Sequence, residues 1–142
     1  MILILLFGML RLTGQESALV ANYDGTGVQL KWFSAGFVYP NGVTVFRKEA
    51  DGDWKKLNSD PIRLKNGVFV YSGNEGISMV LEAVATKKRF EGLVYLNALV
   101  QCFQNNALSE HLGIYYKDET VAPNSSYAYK VVAGNDRQLG KE

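Results

Sequence analysis

The feature that most constrains the fold is a turn followed at once by an alternating segment near the end of the chain. The turn residues are Pro123-Asn-Ser-Ser126, after which Tyr127, Tyr129 and Val131 alternate with Ala128 and Lys130. A period of two is typical of a half-buried strand. The hydroxyl group of Tyr127 can hydrogen-bond back to the turn. The segment therefore predicts a strand that enters the fold from a tight corner.

Earlier segments show the same period. Val28, Leu30 and Trp32 alternate with Gln29, Lys31 and Phe33 after the turn-rich Asp24-Gly-Thr-Gly27. One face of this strand therefore carries an indole and two aliphatic side chains. Two further segments, 42–48 and 53–57, flank Glu49-Ala-Asp-Gly52, and an Asp-Gly pair between alternating segments is a strong hairpin signal.

Taken in chain order, these segments resemble a fibronectin type III domain. Val121, Pro123 and Tyr127 stand at the offsets of that family's tyrosine-corner pattern, and Trp32 corresponds to its core tryptophan. The resemblance implies an immunoglobulin-like antiparallel β-sandwich over residues 16–142. It does not imply an activity, because such sandwiches occur in proteins of many functions.

Two segments depart from the family pattern. After the strand that begins at Tyr127 the chain runs only to Glu142, where the pattern still requires a loop and a seventh strand. We therefore expect the domain to lack its last strand and to expose an unpaired edge. Either the chain is the N-terminal part of a longer multidomain protein, or a following segment or a partner donates a strand.

The second departure is an insertion at about residues 72–117, where apolar residues recur at helical spacing. We expect two or three amphipathic helices here, the third from Ala107 to Leu112, with Asn105 or Asn106 as its cap and Gly113 at its end. The apolar residues at this spacing are Ile77, Val80, Leu81 and Val84 in the first helix and Leu93, Leu96, Val100 and Phe103 in the second, and the helices would cover one flank of the sandwich or form a small subdomain.

The first residues suggest export. Ile2 to Leu10 is a nearly unbroken apolar run, too short to span a bilayer as a helix. It suits the apolar core of a signal peptide, although no basic residue precedes it and Arg11 follows it. We expect residues 1–15 to be removed and the mature protein to be secreted or held at the cell surface. The alternative is a buried first strand of a cytosolic domain.

Charge and reactive side chains argue against several function classes. Fifteen basic and fourteen acidic residues give a net charge of +1, which provides no overall attraction to nucleic acid. The single Cys102 sits in a helical pattern and is expected to be a buried apolar residue. With His111 as the only histidine, a zinc site is not expected. There is no glycine-rich phosphate loop and no nucleophile elbow. We expect no catalytic residues, no metal and no cofactor.

Two function classes follow. The favoured one is a non-catalytic structural or adhesive module of a secreted or surface protein, with the helical insert as its contact surface. Exposed aromatic residues would carry recognition, and Phe33, Phe37, Tyr39 and Phe46 could meet either a partner or the insert. The alternative is an accessory domain of an extracellular hydrolase that binds polysaccharide or positions a catalytic domain, with Trp54 as its leading contact. The sequence identifies no particular protein or polysaccharide ligand.

Overall fold

The computed structural model describes residues 17–34, 38–134 and 138–141, and these contain two antiparallel sheets and three helices. The expected leader at 1–15 and Phe37 lie outside these ranges. In chain order the elements are β1 (Ser17–Tyr23), β2 (Val28–Ser34), β3 (Val43–Glu49), β4 (Lys55–Lys56), α1 (Glu75–Ala85), α2 (Gly92–Gln104), α3 (Asn106–His111), β5 (Tyr115–Asp118), β6 (Tyr127–Ala133) and β7 (Gln138–Lys141).

The strands divide between a three-stranded sheet of order β1-β2-β5 and a four-stranded sheet of order β4-β3-β6-β7. The first turn is set by Asp24, whose carboxylate accepts hydrogen bonds from the backbone of Thr26 at 2.9 Å and of Gly27 at 3.0 Å. In the predicted hairpin between β3 and β4, the amide of Gly52 donates to the carbonyl of Glu49. Local turn chemistry therefore creates both hairpins.

The core is built from alternate residues of these strands. Val43 and Val45 of β3, with Tyr129 and Val131 of β6, are buried, as the period of two requires. Trp32 of β2 is fully buried. Its indole N–H finds no hydrogen-bond acceptor within the described ranges, so the ring contributes through packing alone.

β2 differs from the other strands because both of its faces are buried. Leu30 and Trp32 point to one side, while Lys31 and Phe33 point to the other, and all four are at most 6% exposed. The second side is covered by α2, whose Phe103 ring stacks on Phe33 at 5.2 Å between centroids. The helical insert therefore packs directly on the three-stranded sheet.

The three predicted helices are confirmed. Asn74 caps α1 by accepting from the amide of Ile77, and Asn105 caps α3 by accepting from the amide of Leu108 at 2.9 Å. Gly113 follows α3 at φ +73°, which favours glycine. The predicted end of the insert, at about residue 117, lies too far along the chain. Residues 115–117 belong to β5, which pairs with β2, so the helical segment ends before Tyr115.

The apolar residues whose spacing indicates α2 are not the residues that the helix buries. Ala98 and Cys102 are the buried residues of this helix. Leu93, Leu96 and Val100, which the helical period groups on the opposite face, are exposed, and Phe103 is half exposed while its ring stacks on Phe33. Because α2 is apolar on most of its circumference, the period identifies a helix without showing which side packs inward.

The expectation of a missing seventh strand is also wrong. β7 pairs with β6 in antiparallel register, with Lys130 opposite Lys141 and Val131 opposite Gly140. β7 thus occupies the edge that the sequence predicts to be open. The segment is short, contains a glycine and meets β6 at a register shift, so it lacks the alternation from which a strand is recognised.

In the part of the chain that the structure describes, no helix combines the length and apolar character needed to cross a membrane.

Candidate binding surfaces

The first candidate surface is the outward face of α2, which we call the α2 seam. It consists of Leu93, Leu96 and Val100, which are 82%, 56% and 49% exposed, and it ends at Phe103, which is 50% exposed and whose ring also stacks on Phe33. Their spacing of three, four and three residues places them along one side of the helix over about 15 Å. No charged residue occurs in α2. The helix therefore presents a continuous apolar strip to solvent.

Two polar side chains of α2, Asn97 and Gln101, contact α1 and its N-terminal cap. The side-chain amide of Asn97 donates to the carbonyl of Gly76 at 2.9 Å, and that of Asn74 donates to Gln101 at 3.2 Å. This arrangement reverses the usual pattern of a surface helix, in which polar residues face water. The reversal distinguishes the seam from apolar residues scattered singly on a surface.

A buried lysine fixes the end of α2. The Nζ atom of Lys31 donates to the carbonyl oxygens of Cys102 at 2.6 Å and Phe103 at 3.2 Å, both in the last turn of the helix. Ser109 of α3 donates a further hydrogen bond to the carbonyl of Cys102 at 2.7 Å. A cation at a helix C-terminus interacts favourably with the exposed carbonyl dipoles. The orientation of the seam is therefore set by polar contacts at its end as well as by packing.

The aromatic residues predicted to contact a partner lie in two regions. Phe33 and Tyr39 lie at or near β2, and Phe46 and Trp54 lie on the four-stranded sheet. Phe33 is buried beneath α2 and is not available to a ligand, as expected if the insert covers it. Tyr39 is half-buried, and its hydroxyl donates to the side-chain oxygen of Ser34 at 2.6 Å.

The rings of Phe46 and Trp54 belong to the second candidate surface, the outer face of the four-stranded sheet. Phe46 lies opposite Lys56 of β4 and Lys130 of β6, so the three side chains share one face. Lys48, two residues along β3, points to the same side. We call the set Phe46, Lys48, Trp54, Lys56 and Lys130 the lysine–aromatic face.

Ammonium groups lie over both rings. The Nζ atom of Lys130 is 4.6 Å from the centroid of the Trp54 ring and 5.1 Å from that of Phe46, and Lys48 Nζ is 5.4 Å from the Trp54 centroid. These distances are within the range of cation–π attraction. Sequence reasoning missed the lysines, because their position beside the rings depends on the register of β3 with β6.

The predicted corner residues have structural roles in the turn before β6. The hydroxyl oxygen of Tyr127 accepts a hydrogen bond from the amide of Ala122 at 2.9 Å, so the tyrosine returns to the preceding turn. Val121 is half-buried and Pro123 is exposed on that turn. The guanidinium of Arg47 lies over the Tyr127 ring at 4.7 Å.

A buried carboxylate links the two sheets. Asp118 of β5 accepts hydrogen bonds from Arg47 at 2.8 Å and from the hydroxyl of Tyr129 at 2.9 Å, both in the other sheet. Burial raises the pKa of Asp118, but hydrogen bonds from Thr120, Arg47 and Tyr129 outweigh this and hold the pKa below its usual value. Because its oxygens are fully engaged, Asp118 acts as a structural link.

The side chains with catalytic potential are dispersed. Cys102 is fully buried, and burial raises the pKa of its thiol to about 12, which disfavours the reactive thiolate. The ring of His111 packs against Phe69 at 5.3 Å, and burial followed by the charge of Lys65 lowers its pKa. Among the described residues no group of three metal-ligating side chains is close enough to hold an ion.

A shallow groove of about 490 Å³ lies beside β5. Four of its charged lining residues form ion pairs, since Lys65 contacts Glu110 at 2.7 Å and Lys117 contacts Glu119 at 3.7 Å, and Arg63 also lines the groove. The lysine–aromatic face differs in this respect. Lys48, Lys56 and Lys130 form no ion pair with any carboxylate in the described ranges.

Comparison with known proteins gives no relative: no family model, no curated protein and no solved structure matches this chain.

Proposed function

We propose that this chain is a non-catalytic structural or adhesive module of the fibronectin type III kind, secreted or held at the cell surface, whose contact surface is the helical insert. The observation that carries the proposal is the α2 seam. An exposed apolar strip on a helix that directs Asn97 toward α1 is explained by a partner that covers it.

The fold supports the architectural part of the proposal. Seven antiparallel strands divide three and four between two sheets, and Tyr127 bonds back to its own turn. Both features agree with the arrangement implied by the sequence resemblance. The extracellular location rests on the apolar run near the N-terminus.

The spacing of the seam indicates what covers it. Apolar residues at alternating intervals of three and four on one helix face are the pattern with which one helix packs along another. Leu93 and Leu96 form the first such pair, and Val100 and Phe103 form the second. We therefore expect the occupant to be a helix.

A second copy of this chain is the occupant to which we commit. The seam carries only leucine, valine and phenylalanine, so two copies can face each other without repulsion between like charges. A two-fold contact would place each seam against its equivalent in the other molecule, which is the commonest geometry of homodimers. A contact of this small size places the association in the weak, transient class.

The test is sedimentation velocity over a wide concentration range, comparing the natural protein with Leu96→Glu. We expect the natural protein to dimerise with a dissociation constant of about 100 μM and the variant to remain monomeric, because a buried unpaired carboxylate costs several kcal/mol. Val68→Glu is the matched control. Val68 is 90% exposed in the loop before α1, so this substitution adds the same charge away from the seam.

Circular dichroism of all three forms establishes that each is folded. A natural protein that stays monomeric at millimolar concentration would overturn self-association through the seam. Equal weakening of the dimer by Leu96→Glu and Val68→Glu would show that added negative charge, and not the seam, controls association.

The alternative function, a polysaccharide-binding accessory domain, is favoured by a different observation. Trp54, its predicted leading contact, belongs to the lysine–aromatic face rather than to the seam. The two functions therefore use separate surfaces and can be tested separately.

A further inference from the structure

The lysine–aromatic face concentrates positive charge on a molecule that is nearly neutral. The chain as a whole carries a net charge of +1, yet Lys48, Lys56 and Lys130 lie on one side of three neighbouring strands. Neighbouring strands are about 4.8 Å apart, so Lys56 and Lys130 are separated by about two strand spacings. Three cations without a carboxylate partner among the described residues favour an anionic ligand.

The lysine–aromatic face also offers apolar surface, which its two aromatic rings provide. Trp54 and Phe46 are half-buried, which leaves part of each ring accessible at the surface. An aromatic ring offers an apolar surface with a polarised face, and the C–H groups of a sugar ring can pack against it. The combination of ring and ammonium fits a sugar that carries an acidic group.

The positions of the ammonium groups discriminate between acidic and neutral sugars. Lys130 lies over both rings and Lys48 over one of them. A neutral sugar must displace these cations and lose their attraction to the rings. An acidic sugar offers the displaced ammonium a carboxylate partner, which offsets the loss.

We propose that the lysine–aromatic face is a binding site for an acidic polysaccharide, with Lys48, Lys56 and Lys130 pairing with carboxylates and Trp54 and Phe46 contacting sugar rings. The face is an open sheet surface rather than a closed pocket, which suits an extended polymer. The proposal does not rest on self-association through the α2 seam, because the residues of the two surfaces are different.

The test measures binding of polygalacturonate by isothermal titration calorimetry at low ionic strength. We expect binding that weakens with added salt. Fully methyl-esterified polygalacturonate has the same sugar rings without the charge and should bind at least about fivefold more weakly. Poly-glutamate supplies carboxylates without sugar rings and should also bind more weakly, because it cannot stack on Trp54.

Variants assign the binding to this face. Lys130→Gln and Lys48→Gln should each weaken polygalacturonate binding by about threefold to fivefold, the value of one exposed ion pair. Lys87→Gln is the matched control, since Lys87 is an exposed lysine in the loop after α1 and loses the same charge. Lys48 and Lys130 are half-buried, so circular dichroism of each variant is needed to show that it is folded.

Three results would overturn the proposal. These are no binding of polygalacturonate, equal binding of the esterified polymer, or equal binding of poly-glutamate, the last of which would indicate a site for acidic polypeptides instead. A fourth result, binding that is reduced equally by Lys87→Gln and Lys130→Gln, would show a general charge effect and would also overturn the proposal. The variant Leu96→Glu should leave lysine-dependent binding in place, which keeps this outcome distinct from failure of the α2 seam.

Discussion

The ammonium nitrogen of Lys31 donates a hydrogen bond of 2.6 Å to the carbonyl oxygen of Cys102, a residue 71 positions later in the chain. This contact joins the middle of β2 to the last turn of α2, and Lys31 is only 6% exposed. Burial lowers the pKa of Lys31. The positive charge of a lysine in this position interacts favourably with the carbonyl dipoles at the C-terminal end of the helix. The contact ties the helical insert to the three-stranded sheet.

We expect Lys31→Met to destabilise the protein by about 1 to 3 kcal/mol, because the carbonyl of Phe103 loses its hydrogen bond and that of Cys102 keeps only Ser109. Methionine keeps the length and most of the apolar stem, so packing changes little. The measurement is the free energy of unfolding in urea. Lys56→Met is the control, since Lys56 is exposed on β4 and should change stability by less than about 0.5 kcal/mol.

If Lys31→Met proves as stable as the natural protein, the contact with α2 contributes no net free energy, and the insert is held by apolar packing such as that between Phe33 and Phe103.

We expect Tyr127→Phe to lower the free energy of unfolding by about 1 kcal/mol, because the amide of Ala122 loses its acceptor while the ring and its contact with Arg47 remain. Tyr23→Phe also removes one hydroxyl hydrogen bond, to the carbonyl of Gly25, but Tyr23 is 58% exposed and water can replace its bond. Urea titrations of both variants check the difference. Coincident curves for Tyr127→Phe and the natural protein would show that the corner hydrogen bond does not support the fold.

We expect Asp118→Asn to destabilise the protein by about 3 kcal/mol at neutral pH, because Arg47 keeps its charge and loses its buried anionic partner. Asp51→Asn, in the exposed turn between β3 and β4, is the matched control and should have little effect.

The stability difference between the natural protein and Asp118→Asn should also depend on pH. The pKa of Asp118 lies below its ordinary value of 3.8 in the folded protein, so its contribution is complete above pH 3.8 and is lost as the pH falls through the folded-state pKa. The stability difference between the natural protein and Asp118→Asn should therefore shrink in acid. Urea titrations at neutral pH and at several values below pH 3.8 measure it. A difference that stays constant through the acid range would contradict the assigned role of the Asp118 carboxylate.

Much of the local structure could be predicted because its causes are local. The turn at Asp24, the Asp-Gly hairpin, the caps at Asn74 and Asn105 and the alternation in β2, β3 and β6 each depend on residues a few positions apart. The hydrogen bond from the amide of Ala122 to the hydroxyl oxygen of Tyr127 spans only five residues. Phe46 and Trp54 could likewise be chosen as surface aromatics from their place beside a hairpin.

What the sequence alone determined, then, is the helices, the turns and the strands with clear alternation, β2, β3 and β6; what only the tertiary structure decided is which surfaces meet and that β7 forms a strand. The period of α2 is the same whether Leu96 or Ala98 faces inward, and packing against β2 and α1 selected Ala98. The short segment of β7 is a strand because β6 offers it a partner. Lys130 lies over Trp54 because β3 and β6 pair in one particular register. Contacts between distant segments depend on the relative free energies of competing packings, and these are not encoded in the pattern of any one segment.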